Sequence, residues 1–197
     1  MINSILAVSL NLVTGYTGQL SLGHATFMGI GAYAATLLTL QLGFPFLASI
    51  ILGAIVAAIF GFVIGVPTLR LKGDYLAIAT LGFGEITKNI LLNLEITGGP
   101  MGLRGIPKVT NIYIATTALI LVIFSLNRIM NSRVGKSFIA IREDELAAEA
   151  MGINTAKFKI LAFTIGAFYA GIAGGLYAFL FRYINPKDFN FMNSIEI

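Results

Sequence analysis

A carboxylate and an ammonium group lie close together in an apolar stretch of the sequence. Lys88 follows Glu85 by three residues and Asn89 follows it by four, so a helix would place all three on one face. Charged groups inside a membrane span commonly belong to a transport pathway or an ion relay. Two interpretations are open: a structural polar pair, in which Lys88 or Asn89 satisfies the carboxylate, and a pathway or gate role for Glu85.

The only histidine, His24, ends a polar, glycine-rich segment that also contains Gln19 and Ser21. One histidine without paired acids or cysteines makes a poor metal site, and no metal is predicted. His24 is interpreted either as a structural residue at a helix entry or as a residue that lines the pathway. Gln19 and Ser21 offer hydrogen bonds to a polar substrate. The candidate pathway residues are Gln19, Ser21, His24 and Glu85.

The sequence gives little support to an enzyme. Residues 135–137 read Gly-Lys-Ser, like the end of a phosphate-binding loop, but the glycine required five residues before Gly135 is replaced by Met130. No Ser/His/Asp set and no paired catalytic carboxylates emerge. The absence of cysteine excludes thiol catalysis and zinc–thiolate sites. We therefore predict a protein that is not an enzyme and needs no cofactor.

The composition predicts a membrane protein. Of the 197 residues, 57% are hydrophobic and only 11% are charged, with a mean hydropathy of +0.87. A soluble domain carries about 25% charged residues, so this chain could not cover its own surface with polar groups. Its net charge of +4 fits a bias towards basic cytoplasmic loops. No nucleic-acid partner is predicted, because no basic arm with interleaved aromatic residues is present.

Five apolar stretches reach the length of about 20 residues that a membrane span needs. They are residues 20–42, 45–67, 75–94, 112–130 and 158–184. Residues 1–13 form a partial N-terminal span, and residues 11–23 form either a turn or a broken helix that lines a cavity. Residues 191–197 look like the entry to a further element. The prediction is an all-α, polytopic helical bundle, in one domain (1–197), with five full spans and a partial one.

Two of these spans carry small residues at intervals of four, which lets helices approach closely. The positions are Gly53, Ala57, Gly61 and Gly65 in the second span and Ala167, Gly171 and Gly175 in the last. We interpret these stripes as helix-packing surfaces rather than as a selectivity filter.

The longest polar interruption, residues 131–159, separates the last two spans. Three consecutive acids (143–145) favour the start of a short helix, because they complement the positive end of its dipole. Gly152 supplies the stop, and Asn154 or Thr155 can cap the next helix. The short helix carries a small apolar stripe, formed by Leu146, Ala147, Ala150 and Met151. Such a loop presents a surface for a protein outside the membrane.

The distribution of basic residues predicts that this loop is cytoplasmic. In that orientation the inner loops hold eight bases and the outer loops four. The inner bases are Arg70, Lys72, Arg128, Arg133, Lys136, Arg142, Lys157 and Lys159, and the outer ones are Arg104, Lys108, Arg182 and Lys187. Cytoplasmic loops of membrane proteins carry such an excess of Lys and Arg.

Four blocks of the sequence resemble a known family. They are SLNLVTGYTGQLSLGHATFMGIGAYAA, TGGPMGLRGIP, AIREDELAAEAMGINTAKFKILAF and AGIAGGLYA. Together they resemble the membrane permeases of branched-chain amino-acid ABC importers, of the LivM/LivH type and nearer LivM. The blocks occur in the order of the family and span nearly the whole chain.

The resemblance implies a permease subunit that imports branched-chain or related hydrophobic amino acids across a bacterial or archaeal plasma (inner) membrane. Its partners would be a second permease, two cytoplasmic ATPases that hydrolyse the ATP, and an external substrate-binding protein. The family is usually longer at both ends, so we expect a fragment. Two alternatives are a urea or short-amide permease of the same family, and an ion-coupled secondary transporter in which Glu85 and Lys88 form the relay.

In such importers the central cytoplasmic loop docks in a groove of the ATPase. The usual pattern there is Glu-Ala-Ala, three residues and Gly. Counting back from Gly152 puts Leu146, Ala147 and Ala148 at the first three positions and displaces the acid to Glu145. The resemblance thus implies docking through Ala147, Ala148 and Gly152. The full predicted ATPase-coupling set is Glu145, Leu146, Ala147, Ala148, Glu149, Ala150 and Gly152.

Overall fold

A computed structural model describes residues 1–68, 71, 73–189 and 194. Within these residues the chain folds into eight α-helices and one two-stranded β-ribbon. The helices are α1 (Ile2–Asn11), α2 (His24–Leu42), α3 (Phe46–Thr68), α4 (Asp74–Asn93), α5 (Ile112–Met130), α6 (Arg133–Glu143), α7 (Glu145–Ala150) and α8 (Thr155–Phe181). Arg70, Lys72 and, apart from Ser194, the predicted element at 191–197 lie outside the described residues.

Four helices are long and apolar enough to cross a membrane, which confirms the predicted polytopic helical fold. They are His24–Leu42, Phe46–Pro67, Ile112–Met130 and Thr155–Phe181. The fifth predicted span corresponds to α4, which has the length, at 20 residues, but carries Glu85 and Lys88 and is less apolar. Three boundaries differ from the prediction by three or four residues, since α2 begins at His24 rather than residue 20 and α8 is Thr155–Phe181 rather than 158–184.

The first helix changes form before the chain turns back. Helix α1 continues as a π-helical turn over Leu12–Tyr16, and the irregular part is residues 17–23, which we call the reversal segment. Gly18 adopts a φ of +69° there, a conformation that glycine reaches without steric cost. The Val13 carbonyl accepts hydrogen bonds from the Thr17 hydroxyl (2.5 Å) and the Gln19 amide (3.1 Å). These bonds satisfy polar backbone where the helix ends, as burial requires.

Helices α2, α3 and α8 pack at very short range through their small residues. Gly31 of α2 abuts the backbone of Gly171 in α8. A Cβ atom added to Gly171 would lie 2.8 Å from the Cα of Ala54 in α3. A Cβ atom added to Gly61 would lie 2.5 Å from the Cβ of Ala167. The interpretation of the small-residue stripes as packing surfaces is confirmed at these positions.

The bundle has two distinct ends. At one end, which we call the ribbon end, β1 (Leu103–Arg104) pairs antiparallel with β2 (Tyr183–Ile184). Helices α6 and α7 form the other end, the α7 end. Helix α8 follows directly after α7 and leads into β2, so it joins the two ends. Helix α4 also extends between them, because its first turn and the end of α6 line one cavity and its last turn contacts the loop that precedes β1.

Candidate functional site

The predicted short helix in the polar loop is present as α7. The Asp144 carboxylate caps it by accepting hydrogen bonds from the amides of Leu146 (2.9 Å) and Ala147 (3.0 Å). Gly152 follows the helix with a φ of +83°, the left-handed conformation expected of a helix stop. The Asn154 side chain then caps α8 by accepting from the amide of Lys157. Of the two predicted caps, Asn154 is therefore the one used.

One side of α7 points away from the chain. Leu146 is 71% exposed and Met151 83%, and Ala147 and Ala150 lie exposed between them. We call these four residues the α7 outer face. In a water-exposed loop, a large leucine and methionine beside two alanines form an apolar surface that is typical of a contact with another protein.

Ala148 does not belong to this surface, although the resemblance placed it among the docking residues. It is only 4% exposed, because its position on the helix is opposite Leu146 and Ala150. Its backbone carbonyl accepts a hydrogen bond from the amide of Ile153, which closes the end of α7. The docking role implied for the Ala148 side chain is therefore corrected: it packs inside the chain.

Two acids of the predicted coupling set hold α7 against α8. The Lys159 ammonium lies 2.6 Å from a carboxylate oxygen of Glu145, and both side chains are largely buried. The Thr155 hydroxyl donates to the Glu149 carboxylate at 2.6 Å. Hydrogen bonds to charged groups are among the stronger ones in proteins. The displaced acid at position 145 thus has a structural partner, and α7 is fixed to the first turn of α8.

The end of α6 reaches the reversal segment and the turn before it. Arg142 donates a hydrogen bond from its guanidinium to the carbonyl of Gly15 (3.0 Å), and its side chain packs against Gly18. Next to this contact is a cavity of about 250 Å³, lined by residues 17–20 and by the polar residues 142–145. The α7 end is therefore in direct contact with the interrupted helix.

Three predicted pathway residues lie together, buried, in or next to the reversal segment. Gln19, Ser21 and His24 are 4%, 3% and 1% exposed. The Ser9 hydroxyl donates to the carbonyl of Leu6 (2.7 Å) and lies 2.8 Å from His24 Nε2. The direction of the Ser9–His24 bond depends on the histidine tautomer: a serine hydroxyl that donates to Leu6 accepts from a protonated Nε2.

This arrangement leaves three polar atoms available in the buried segment. His24 Nδ1, Gln19 Oε1 and Ser21 Oγ have no hydrogen-bond partner among the described residues. Buried polar atoms are nearly always paired with protein or water, so such a group indicates a place for water or a polar ligand. Contact of Gln19, Ser21 and His24 with a substrate stays a prediction.

Glu85 lies apart from the other pathway candidates, on the outward side of α4. Its carboxylate pairs with the Lys88 ammonium at 3.0 Å, whereas the Asn89 amide donates to the Glu85 backbone carbonyl at 2.8 Å. Of the two predicted partners, Lys88 is therefore the one that pairs with the Glu85 carboxylate. The other side of α4 contacts the reversal segment, where the Leu22 amide donates to the Thr80 hydroxyl at 3.1 Å.

Comparison with known proteins identifies the family. The sequence profile described as "Branched-chain amino acid transport system / permease component" matches residues 1–197. The chain belongs to this permease family. Together with its four apolar helices, membership makes it a multi-pass plasma-membrane protein and confirms the resemblance drawn from the sequence blocks.

Curated relatives of this permease come from bacteria and an archaeon. The high-affinity branched-chain amino acid transport system permease protein LivM of Salmonella typhimurium is 40% identical over 229 aligned residues, covering 98% of this chain and 54% of the relative. LivM of Escherichia coli is 39% identical with the same coverage. A probable LivM of Methanocaldococcus jannaschii is 29% identical, over 88% of this chain and 63% of the relative. The chain thus spans about half the length of the bacterial relatives. No solved structure matches it.

The Gly-Lys-Ser motif and the acidic and histidine residues form neither a phosphate-binding loop nor a metal site among the described residues. Gly135, Lys136 and Ser137 lie inside α6, with Gly135 packed against the backbone of Met130. A phosphate-binding loop would join a strand to the start of a helix, whereas α5 and a short turn precede α6. Across the described residues, no group of three or more His, Cys, Asp or Glu side chains is placed to hold a metal ion.

The sequence did not predict that Ser9, Thr80 and Arg142 contact the reversal segment or the residues next to it. Ser9 and Thr80 had a detectable signal, since each is a hydroxyl group in an apolar stretch. The sequence contains no signal for the contact of Arg142, because its partner Gly15 is 127 residues away.

Proposed function

We propose that the chain is a permease subunit of an ATP-driven importer that moves branched-chain or related hydrophobic amino acids delivered by an external binding protein. The family description and the names of the relatives support this substrate class. The single observation that carries the proposal is the α7 outer face. A membrane transporter that works alone has no use for an exposed apolar helix clamped between two spans.

The partners in this proposal are a second permease subunit, two cytoplasmic ATPases and the external binding protein. The orientation that it requires places the α7 end in the cytoplasm. Among the described residues, six of the predicted inner bases lie at the α7 end and four outer bases at the ribbon end. That difference supports the orientation.

Transport would depend on movement passed from α7 to the membrane spans. Closure of the ATPase pair around ATP would displace the α7 outer face. The Glu145–Lys159 pair would carry that displacement into α8, and Arg142 would carry it to Gly15 and the reversal segment. ATP hydrolysis belongs to the separate ATPase chains.

The test is co-purification with the ATPases after detergent extraction of the complete transporter. The variant Ala147→Glu with Met151→Glu places two charges on the exposed outer face, where folding tolerates them but an apolar contact does not. The matched control is Met101→Glu, because Met101 is 77% exposed in the loop that leads to the ribbon end. We expect the control to retain the ATPases and the double variant to lose them.

Equal retention by both variants would contradict the docking assignment. In membrane vesicles that contain the complete transporter, uptake of labelled leucine compared with labelled urea tests the substrate class. Uptake that survives ATP depletion but stops when the proton gradient collapses would favour an ion-coupled transporter instead.

A further inference from the structure

On the side that faces away from the other described residues, helix α4 carries a row of polar residues and glycine among the exposed side chains of Ile78, Ile86 and Ile90. Gly82, Glu85, Asn89 and Asn93 follow one another at intervals of three or four residues and so share one side of the helix. We call these four residues the α4 stripe. The buried residues of α4 occupy other positions, namely Leu76, Ala77, Thr80 and Thr87. A Cβ atom added to Gly82 would meet no described atom within 4 Å, so the stripe is open.

The stripe lies at the depth of the hydrocarbon. Helix α4 extends from the α7 end to the ribbon end, alongside helices that cross the membrane. At 1.5 Å per residue, Glu85 is about 16 Å along the axis from Asp74, close to the middle of a hydrocarbon core of about 30 Å. The described residues do not enclose the ion pair, since the Glu85 side chain is 41% exposed and that of Lys88 24%.

The exposed surfaces of α3 and α5 show the apolar composition expected of helices that contact lipid. The exposed residues in the middle of α3 are Ile55, Ile59, Phe62 and Val63, and those of α5 are Ile120, Leu121, Ile123 and Phe124. These surfaces are apolar, as a hydrocarbon solvent requires. A carboxylate and an ammonium group near the middle of the hydrocarbon core, with the Asn89 amide about 6 Å further along the helix, need protein or water against them.

We propose that the α4 stripe is the surface on which a second permease subunit packs, with Glu85 and Lys88 at a water-filled junction between the two chains. This inference rests on the proposed function, which supplies the partner. Of the partners in that proposal, the ATPases and the external binding protein lie outside the membrane and cannot reach the bilayer centre. The partner's facing helix must supply polar groups or enclose water, and Gly82 allows its backbone to approach closely.

Site-directed photocrosslinking in membranes that contain the complete transporter tests this surface. A photoreactive phenylalanine analogue replaces Asn89 in one variant and Leu121, on the exposed surface of α5, in the control. We expect the Asn89 variant to form a covalent adduct with the second permease subunit and the Leu121 variant to form adducts with lipid alone. The native chain has no cysteine, so Asn89→Cys and Leu121→Cys provide a second measurement with a charged, water-soluble maleimide. Only the Asn89→Cys position should be labelled.

Lipid adducts at both positions, or an adduct of Asn89 with a second copy of this chain, would overturn the inference. Probing the same preparations for the ATPases separates its failure from failure of the proposed function. ATPases present without the Asn89 adduct would overturn the α4 surface alone. Absence of both ATPases and adduct would overturn the importer assignment and the inference with it.

Discussion

At the scale of single residues, burial decides what each polar group does. The Glu145 carboxylate and the Lys159 ammonium are close and largely shielded from water, so their pair holds α7 in place. The Glu85 carboxylate and the Lys88 ammonium also form an ion pair, but this pair faces outward from α4. The sequence shows opposite charges in both places and cannot show this difference, because the direction in which a side chain points depends on how the helices pack.

The hydrogen bond between His24 and Ser9 gives a prediction at this scale. Ser9→Ala removes the acceptor of a fully buried imidazole N–H, and a buried donor without a partner costs about 1–3 kcal/mol. We expect a lower unfolding temperature in detergent and unchanged affinity for the ATPases. Ser4→Ala is the matched control, because Ser4 lies exposed on the same helix. Equal unfolding temperatures for the two variants would show that the His24–Ser9 bond contributes no stability.

At the scale of helices, much of the fold could be predicted from composition and spacing. Apolar length identified the spans, and acids followed by Gly152 identified α7. The π-helical turn over Leu12–Tyr16 and the exact extent of the reversal segment could not be predicted, because contacts with Thr80, Arg142 and Ser194 help to fix them. Ala148 was assigned to the docking surface for a similar reason. The sequence shows which residues of a six-residue helix share one side, but packing against α8 decides which side faces inward.

The contact between α2 and α8 gives a prediction at this scale. A Cβ atom at Gly174 would overlap the Met28 carbonyl, and backbone on both sides leaves little room to relax. Overpacking of this kind costs about 1–3 kcal/mol or more, so Gly174→Ala should lower the yield of folded protein and its unfolding temperature. Gly82→Ala, measured on the isolated chain in detergent without a partner subunit, is the matched helical control, because no described atom lies within 4 Å of a Cβ atom at Gly82. A loss of stability at Gly82 equal to that at Gly174 would contradict the packing argument.

At the scale of the whole molecule, side-chain contacts connect the α7 end with the reversal segment and the turn before it. Arg142 joins them through the Gly15 carbonyl, and the Leu22–Thr80 hydrogen bond continues the chain of contacts into α4. A displacement of the α7 outer face would therefore reach both the buried polar segment and the helix that carries the α4 stripe. Sequence analysis identified the residues at the two ends of this route but not the contacts between them.

Arg142→Ala tests that route. Coupling carried by such networks changes by about 0.5–2 kcal/mol when one member is removed, which corresponds to a roughly 2- to 30-fold fall in transport rate. The ATPases should still co-purify, because the α7 outer face is unchanged. Arg133→Ala, which removes an exposed arginine from the same helix, is the control and should transport normally. Loss of ATPase binding in Arg142→Ala would instead assign Arg142 to the docking surface.

The β-ribbon also sets an order of events during synthesis. Leu103 pairs with Ile184, so one strand leaves the ribosome 81 residues before its partner. At about 5–20 residues per second, Leu103 waits roughly 4–16 s for that partner. During this interval the loop between α4 and α5 has no β-strand to pair with. The ribbon can therefore close only after α8 has been synthesised.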